Sequence, residues 1–247
     1  MLDNYFLYWD DLPADSGYET FGTVHVIWLA GILAVILITS TLFRKADPAV
    51  QTRILRSLGI FILAMEAWRL TVLAATGHMT YGNLPLHLCG IAIFLEAACV
   101  FLPNRFLGEV VCTACLPGAA AALIFPDWLR YPTFNYMNLH GFLVHGTLVL
   151  IPVLLMVSGR YLPQLRRIWM PVLFLIILSP IIYCFNMRHS TNFMFLNHPS
   201  VGSPFETLYD TFGYVPYITV FAVTVCGVIL LTYGIIRIFQ KLFLHRY

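Results

Sequence analysis

The chain has 247 residues, 60% of them hydrophobic and only 11% charged, with a mean hydropathy of +0.80. Soluble domains carry about half apolar and about a quarter charged residues, so disorder, coiled coil and a cytosolic α/β fold are excluded, and an all-α polytopic membrane bundle remains. A net charge of +2 is too weak a basic bias for a nucleic-acid partner. The six cysteines sit mostly in apolar stretches and read as small hydrophobes, not as a disulfide framework.

In chain order, residues 1–19 hold Asp3, Asp10, Asp11, Asp15 and Glu19 and no Lys or Arg, which predicts a short aromatic interfacial segment and not a signal peptide. Apolar runs of about 20 residues then predict seven transmembrane helices in a single domain, 1–247. The spans fall near 22–43, 55–76, 84–102, 106–125, 139–158, 168–188 and 214–239. The odd connections and the C-terminal segment carry Arg44, Lys45, Arg53, Arg56, Arg105, Arg160, Arg166, Arg167, Arg237, Lys241 and Arg246, against Arg130 and Arg188 on the other side. That asymmetry predicts the N-terminus outside and the C-terminus in the cytoplasm. The outward connections 126–138 and 189–213 are long and the inward ones short, so a site is expected toward the outer leaflet. No internal repeat of the kind found in many secondary transporters is present.

Glu66 and Arg69, three apart in the second span, and Glu96, mid-way along the third, are ionisable residues deep within their helices. Unpaired, each would cost about 2.5–3.5 kcal/mol at a helix centre. Counting from the helix ends puts both carboxylates roughly 15 Å deep, so Arg69 is expected to bridge them. The group reads either as a buried ion pair fixing helix register or as the floor of a polar cavity.

The stretch Asn83-Leu84-Pro85-Leu86-His87-Leu88-Cys89-Gly90 holds the main candidate nucleophile. Asn83 is expected to cap a helix with Pro85 in its first turn, placing Cys89 about a turn and a half in. Free N–H groups and the positive end of the dipole favour a thiolate there. His87, two residues away, points nearly opposite on a helical wheel and is a poor base for Cys89. His140, in Asn138-Leu139-His140-Gly141 at the outer start of the fifth span, lies at a comparable depth and is the candidate base. On the residues alone, Cys89 reads equally as a packed apolar side chain and His140 as an interfacial histidine bonded to a loop carbonyl. His145 lies about 140° round the helix from His140, so the two make no chelating face. In the second long loop His189 and His198 stand beside Asn192 and Asn197, either of which could donate to an oxyanion.

Leu86-His87-Leu88-Cys89, Asn138-Leu139-His140-Gly141 and Thr191-Asn192-Phe193-Met194-Phe195-Leu196 together resemble the YwaF family of bacterial integral membrane proteins. That family is related to the animal transmembrane protein 164, an acyltransferase that moves a fatty acyl chain between phospholipids using a cysteine. A more distant resemblance runs to the androgen-induced fatty-acid-ester hydrolases, which use a Thr and His pair. The similarity runs from about residue 20 to 240. It implies that Cys89 is the nucleophile and His140 the base; on the residues themselves, His87, Gly90, Asn192 and Asn197 are the candidate oxyanion or supporting groups. The expectation is therefore a membrane acyltransferase that takes an acyl chain from a phospholipid donor to an amine or hydroxyl on a lipid or lipidated acceptor. No cofactor and no metal are expected. The alternatives are a lipid esterase with the same dyad, a non-enzymatic lipid or small-molecule carrier lined by Glu66, Arg69 and Glu96, and a zinc hydrolase built from His87, His140, His145 and His198.

Overall fold

The computed structural model describes residues 4–13, 15–200 and 203–243, with side chains through residue 241. Asp3, Arg246 and positions 201–202 of the second long connection lie outside the described residues. Among those described there is no strand, and nine α-helical segments carry the chain: α1 (Thr23–Lys45), α2 (Pro48–Ala75), α3 (Leu88–Phe101), α4 (Arg105–Val110), α5 (Leu116–Ile124), α6 (Tyr136–Val157), α7 (Trp169–His189), α8 (Pro204–Phe212) and α9 (Tyr214–Phe243). A π turn, Val111–Cys115, joins α4 and α5 into one helical run.

Six helical runs are long and apolar enough to cross a membrane: α1, α2, Arg105–Ile124, α6, α7 with its leading turn, and α9. The chain is thus an all-helical multi-pass membrane protein, and the expected seventh span is not among these six. At 14 residues α3 is about 21 Å long, short of a 30 Å hydrocarbon core. The apolar run 84–102 is not helical throughout: residues 84–87 are non-helical, with a tight turn closed by Leu86 N to Leu84 O at 2.8 Å, and lead to His87 as N-cap. Pro85 belongs to that non-helical piece. Gly90 packs on it so closely that a Cβ would come within 2.7 Å of the Pro85 backbone. Asn83 ends a short 3-10 turn closed by a reciprocal cap with Thr80 and does not cap α3. α2 differs in the other direction: it starts at Pro48, with Asp47 as N-cap, so Arg53 and Arg56 are helical and extend beyond the apolar run.

α6 is the centre of the bundle, with 67% of its most apolar window buried, against 6% for α1 and 11% for the helix ending at His189. α2, α3, the π turn and α5 pack round α6. Their shared core runs from Ile62 through Ala92, Ile93, Val111, Cys115 and Ala119 to Leu148 and Ile151. The peripheral helices turn apolar side chains such as Ile27, Leu42, Ile176 and Leu231 outward, where lipid is their natural solvent.

The two ends differ. At the basic end Arg160 donates to Pro48 O at 2.6 Å and to Thr52 at 2.9 Å, and buried Glu109 accepts from the Tyr161 and Tyr233 hydroxyls and from Gln164 N. At the opposite, long-loop end the N-terminal segment lies across the bundle as a strap. Asn135 donates to Asn4 O at 2.8 Å and Leu7 O at 2.9 Å, and His78 pairs with Asp11 at 2.9 Å. Tyr18 donates to Asn138 Oδ1 at 2.6 Å; burial pushes its hydroxyl up to about 12, so it stays a donor at neutral pH.

Candidate functional site

Three helices converge beneath the strap. Glu66 on α2 accepts from Arg69 one turn later, at 3.0 Å to Nε and 2.5 Å to Nη2, and its Oε2 lies 3.0 Å from His140 Nε2 on α6. All three side chains are buried. The Arg69 charge neutralises Glu66 in a planar two-bond pair, which offsets much of the cost of taking either ion out of water. Arg69 Nη2 also donates to Asn83 O at 2.9 Å, and the Asn83 amide reaches the Tyr8 hydroxyl of the strap at 2.9 Å. A continuous chain of hydrogen bonds therefore runs from Tyr8 through Asn83, Arg69 and Glu66 to His140. An ionised Glu66 accepts, so His140 donates from Nε2 and keeps a lone pair on Nδ1.

Glu96 stands apart from this group. It is fully buried on α3, and neither carboxyl oxygen has a hydrogen-bond partner among the described residues. Arg69 bridges Glu66 to Asn83, not Glu66 to Glu96. Cys89, Cys99, Cys112 and Cys115 all lie within electrostatic reach of Glu96.

Cys89 is the second residue of α3, nearer the helix start than the sequence suggested. The first helical bond is from Ile91 N to His87 O, and no side chain caps the N-terminus. The N–H groups of Leu88, Cys89 and Gly90 thus precede the ladder. The thiol is half-buried, against the core below it, whereas Cys99, Cys112 and Cys115 are buried and Cys184 and Cys226 exposed on the outer helices. α3 packs against both α2 and α6, but no hydrogen bond joins Cys89 to His140 among the described residues.

His87 is not on a helical turn, so the wheel that turned it away from Cys89 does not apply. Its Nδ1 accepts from Met194 N at 3.2 Å, and the rings of Phe193 and Phe195 lie 5.1 and 5.4 Å from it. It lines a cleft of about 520 Å³ at the long-loop end together with Tyr81, Asp127, His189, Asn192 and Phe195. Neither Cys89 nor His140 is among the lining residues. Asp127 lines the same cleft as His87. It has no sequence pattern, since a single aspartate between Pro126 and Trp128 looks like any loop carboxylate.

The two loop amides serve the loop itself. Asn192 Nδ2 faces the His198 ring and carbonyl at 3.0 and 2.9 Å while its Oδ1 takes Asn197 N at 3.1 Å, and Asn197 Nδ2 reaches Thr191 O at 3.5 Å. The organiser missed in the sequence is Asn186, fully buried near the end of α7, which accepts Phe193 N at 2.9 Å and donates to Phe193 O at 3.0 Å. An asparagine inside an apolar span was its signal. His145 turns away from the site: Nδ1 donates to Gly141 O at 2.7 Å, and the ring stacks on Trp128 at 4.6 Å. Among the described residues no three His, Cys, Asp or Glu side chains come together in a metal-holding arrangement.

A family model described as the TMEM164 family matches residues 20–233, which is most of the chain, and the chain belongs to that family. Neither a curated protein nor a solved structure matches it.

Proposed function

We propose that this member of the TMEM164 family is a membrane acyltransferase in which Cys89 takes an acyl chain from a phospholipid and passes it to an amine or hydroxyl on a lipid or lipidated acceptor. The observation that carries the reading is the hydrogen bond from His140 Nε2 to Glu66. It leaves Nδ1 as the basic nitrogen and orients the ring, as the acid does for the histidine of a nucleophile–base–acid triad. Arg69 holds Glu66 in place, so the base is supported by two further residues. Cys89, second in α3, supplies the nucleophile at the end where the helix dipole favours a thiolate. His140 takes the thiol proton, Sγ bonds the ester carbonyl carbon, and the C–O bond to the lysolipid breaks as that oxygen receives the proton. The N–H groups at the start of α3, Gly90 included, suit the developing oxyanion. The acceptor then attacks the thioester and frees Cys89. Basic residues gathered at the opposite end support a site facing the outer leaflet.

The test is the intact mass of the full chain after incubation with dioleoyl phosphatidylcholine vesicles. A gain of one oleoyl group, absent in Cys89→Ala and nearly absent in Cys89→Ser, is expected. Adding lysophospholipid should discharge the adduct to new diacyl lipid. Discharge only to free fatty acid would make the protein an esterase, and full lipid conversion by Cys89→Ala would leave a carrier.

A further inference from the structure

We infer that His87 is a fixed neutral hydrogen-bond donor in the acyl-transfer site, held in that state by the backbone of Met194, and that its Nε2–H receives the charge developing on the ester carbonyl oxygen as Cys89 attacks. This rests on the acyl-enzyme reading above and assigns a further catalytic residue to it. Met194 N–H points at His87 Nδ1 from 3.2 Å, which requires a lone pair on that nitrogen. A ring with its lone pair on Nδ1 carries its proton on Nε2, and an imidazolium would set N–H against N–H. One of the three states of the ring is thereby selected. Nε2 has no protein acceptor among the described residues, and His87 lines the cleft two residues before Cys89.

The turn that presents Met194 is held against its backbone preference. Met194 has φ 57° and ψ 17°, and Phe195 has φ 53°, a left-handed pair without glycine. Such residues persist only where the surroundings over-determine them, and they cluster at functional sites. Here Asn186 bonds both the N–H and the carbonyl of Phe193, and the Tyr217 hydroxyl donates to Phe195 O. Phe193 and Phe195 flank the imidazole on the same turn, so one strained loop sets the ring's tautomer and its walls together.

The two histidines are complementary. His140 has its donor committed to Glu66 and a lone pair free, while His87 has its lone pair committed to Met194 and a donor free. A neutral imidazole used as an electrophile beside a separate base is an established division of labour. In the step, the Sγ–C bond forms as the carbonyl pair moves onto oxygen, and His87 holds that oxygen without giving up its proton. Collapse breaks the C–O bond, and the lysolipid oxygen receives the thiol proton from His140.

The experiment compares single-turnover acylation of Cys89 by dioleoyl phosphatidylcholine vesicles in the full chain and in His87→Gln, His87→Ala and Met194→Gly, with ¹⁵N spectra of histidine-labelled protein. Loss of one oxyanion donor typically slows chemistry about 10²–10³-fold, the effect expected for His87→Ala. His87→Gln should stay within about tenfold of the wild type, because its amide oxygen can take Met194 N–H and its NH₂ replaces Nε2–H. Met194→Gly keeps the N–H and should keep the wild-type ¹⁵N shifts of His87, whereas a changed tautomer there would overturn the role given to this turn. His87→Ala at the wild-type rate, His87→Gln as slow as His87→Ala, or ¹⁵N shifts showing an Nδ1–H ring or an imidazolium at neutral pH would each overturn the assignment. No adduct in the wild type would overturn the Cys89 reading, and this one with it, whereas loss confined to the alanine variant isolates His87. Should His87→Ala not fold, the glutamine variant and the ¹⁵N shifts still decide.

Discussion

At Glu66 a single carboxylate has two duties, neutralising Arg69 and orienting His140. Only the first was legible in the sequence, because a three-residue spacing puts two side chains on one helix face, whereas a partner 74 residues away has no local signature. The same limit explains why Glu96 looked an equal candidate: depth along a helix can be counted, but its rotation about its axis follows from packing. Arg69→Ala should therefore destabilise the fold by about 3–5 kcal/mol, since it strands a buried negative charge instead of removing a pair. Denaturant unfolding in detergent measures this, with loss of lipid conversion as a second readout. Unchanged stability would mean that Glu66 is solvated and that His140 is not held by a structured partner.

Single elements show where hydropathy is informative and where it misleads. Apart from the start of α2, the long spans are legible to within a few residues because each is a continuous apolar run, but hydropathy cannot see that Leu84 to Leu86 form a tight turn, and so it overstates α3. That shift brings Cys89 to the second helical position and removes the expected cap by Asn83. The π turn Val111–Cys115 was likewise invisible, since its composition is that of any buried helix. α3 carries a second test. Glu96 is fully buried and neither oxygen has a partner among the described residues, so it contributes desolvation cost with no compensating bond there. Glu96→Met, of similar volume and apolar, should stabilise the protein by about 1–3 kcal/mol, read as a raised melting temperature in detergent. A lowered melting temperature would show that the carboxyl is held by a group that methionine cannot serve, and would return Glu96 to the list of functional residues.

Across the whole molecule the strap, the cleft and the starts of α3 and α6 gather at one end, and the basic connections at the other. The division follows from the sequence, because loop length and charge alternate along the chain, but the role of the strap does not. Its bonds from Asn4, Tyr8 and Asp11 to Asn135, Asn83 and His78 are long-range pairings of ordinary polar residues. Which end faces the cytoplasm is fixed during insertion by the lysines and arginines of short loops. Arg44, Lys45, Arg53, Arg56, Arg105, Arg160, Arg166 and Arg167 flank the basic end, against Arg130 and Arg188 opposite, so the basic end should stay inside. Phe134→Cys at the long-loop end and Leu165→Cys at the basic end, at positions 56% and 50% exposed, report this when the exposed Cys184 and Cys226 are first changed to alanine. A membrane-impermeant maleimide should label Phe134→Cys in intact cells and Leu165→Cys only after permeabilisation. The reverse pattern would put the cleft, Cys89 and His140 on the cytoplasmic leaflet, leaving the chemistry as proposed but changing which lipids reach it.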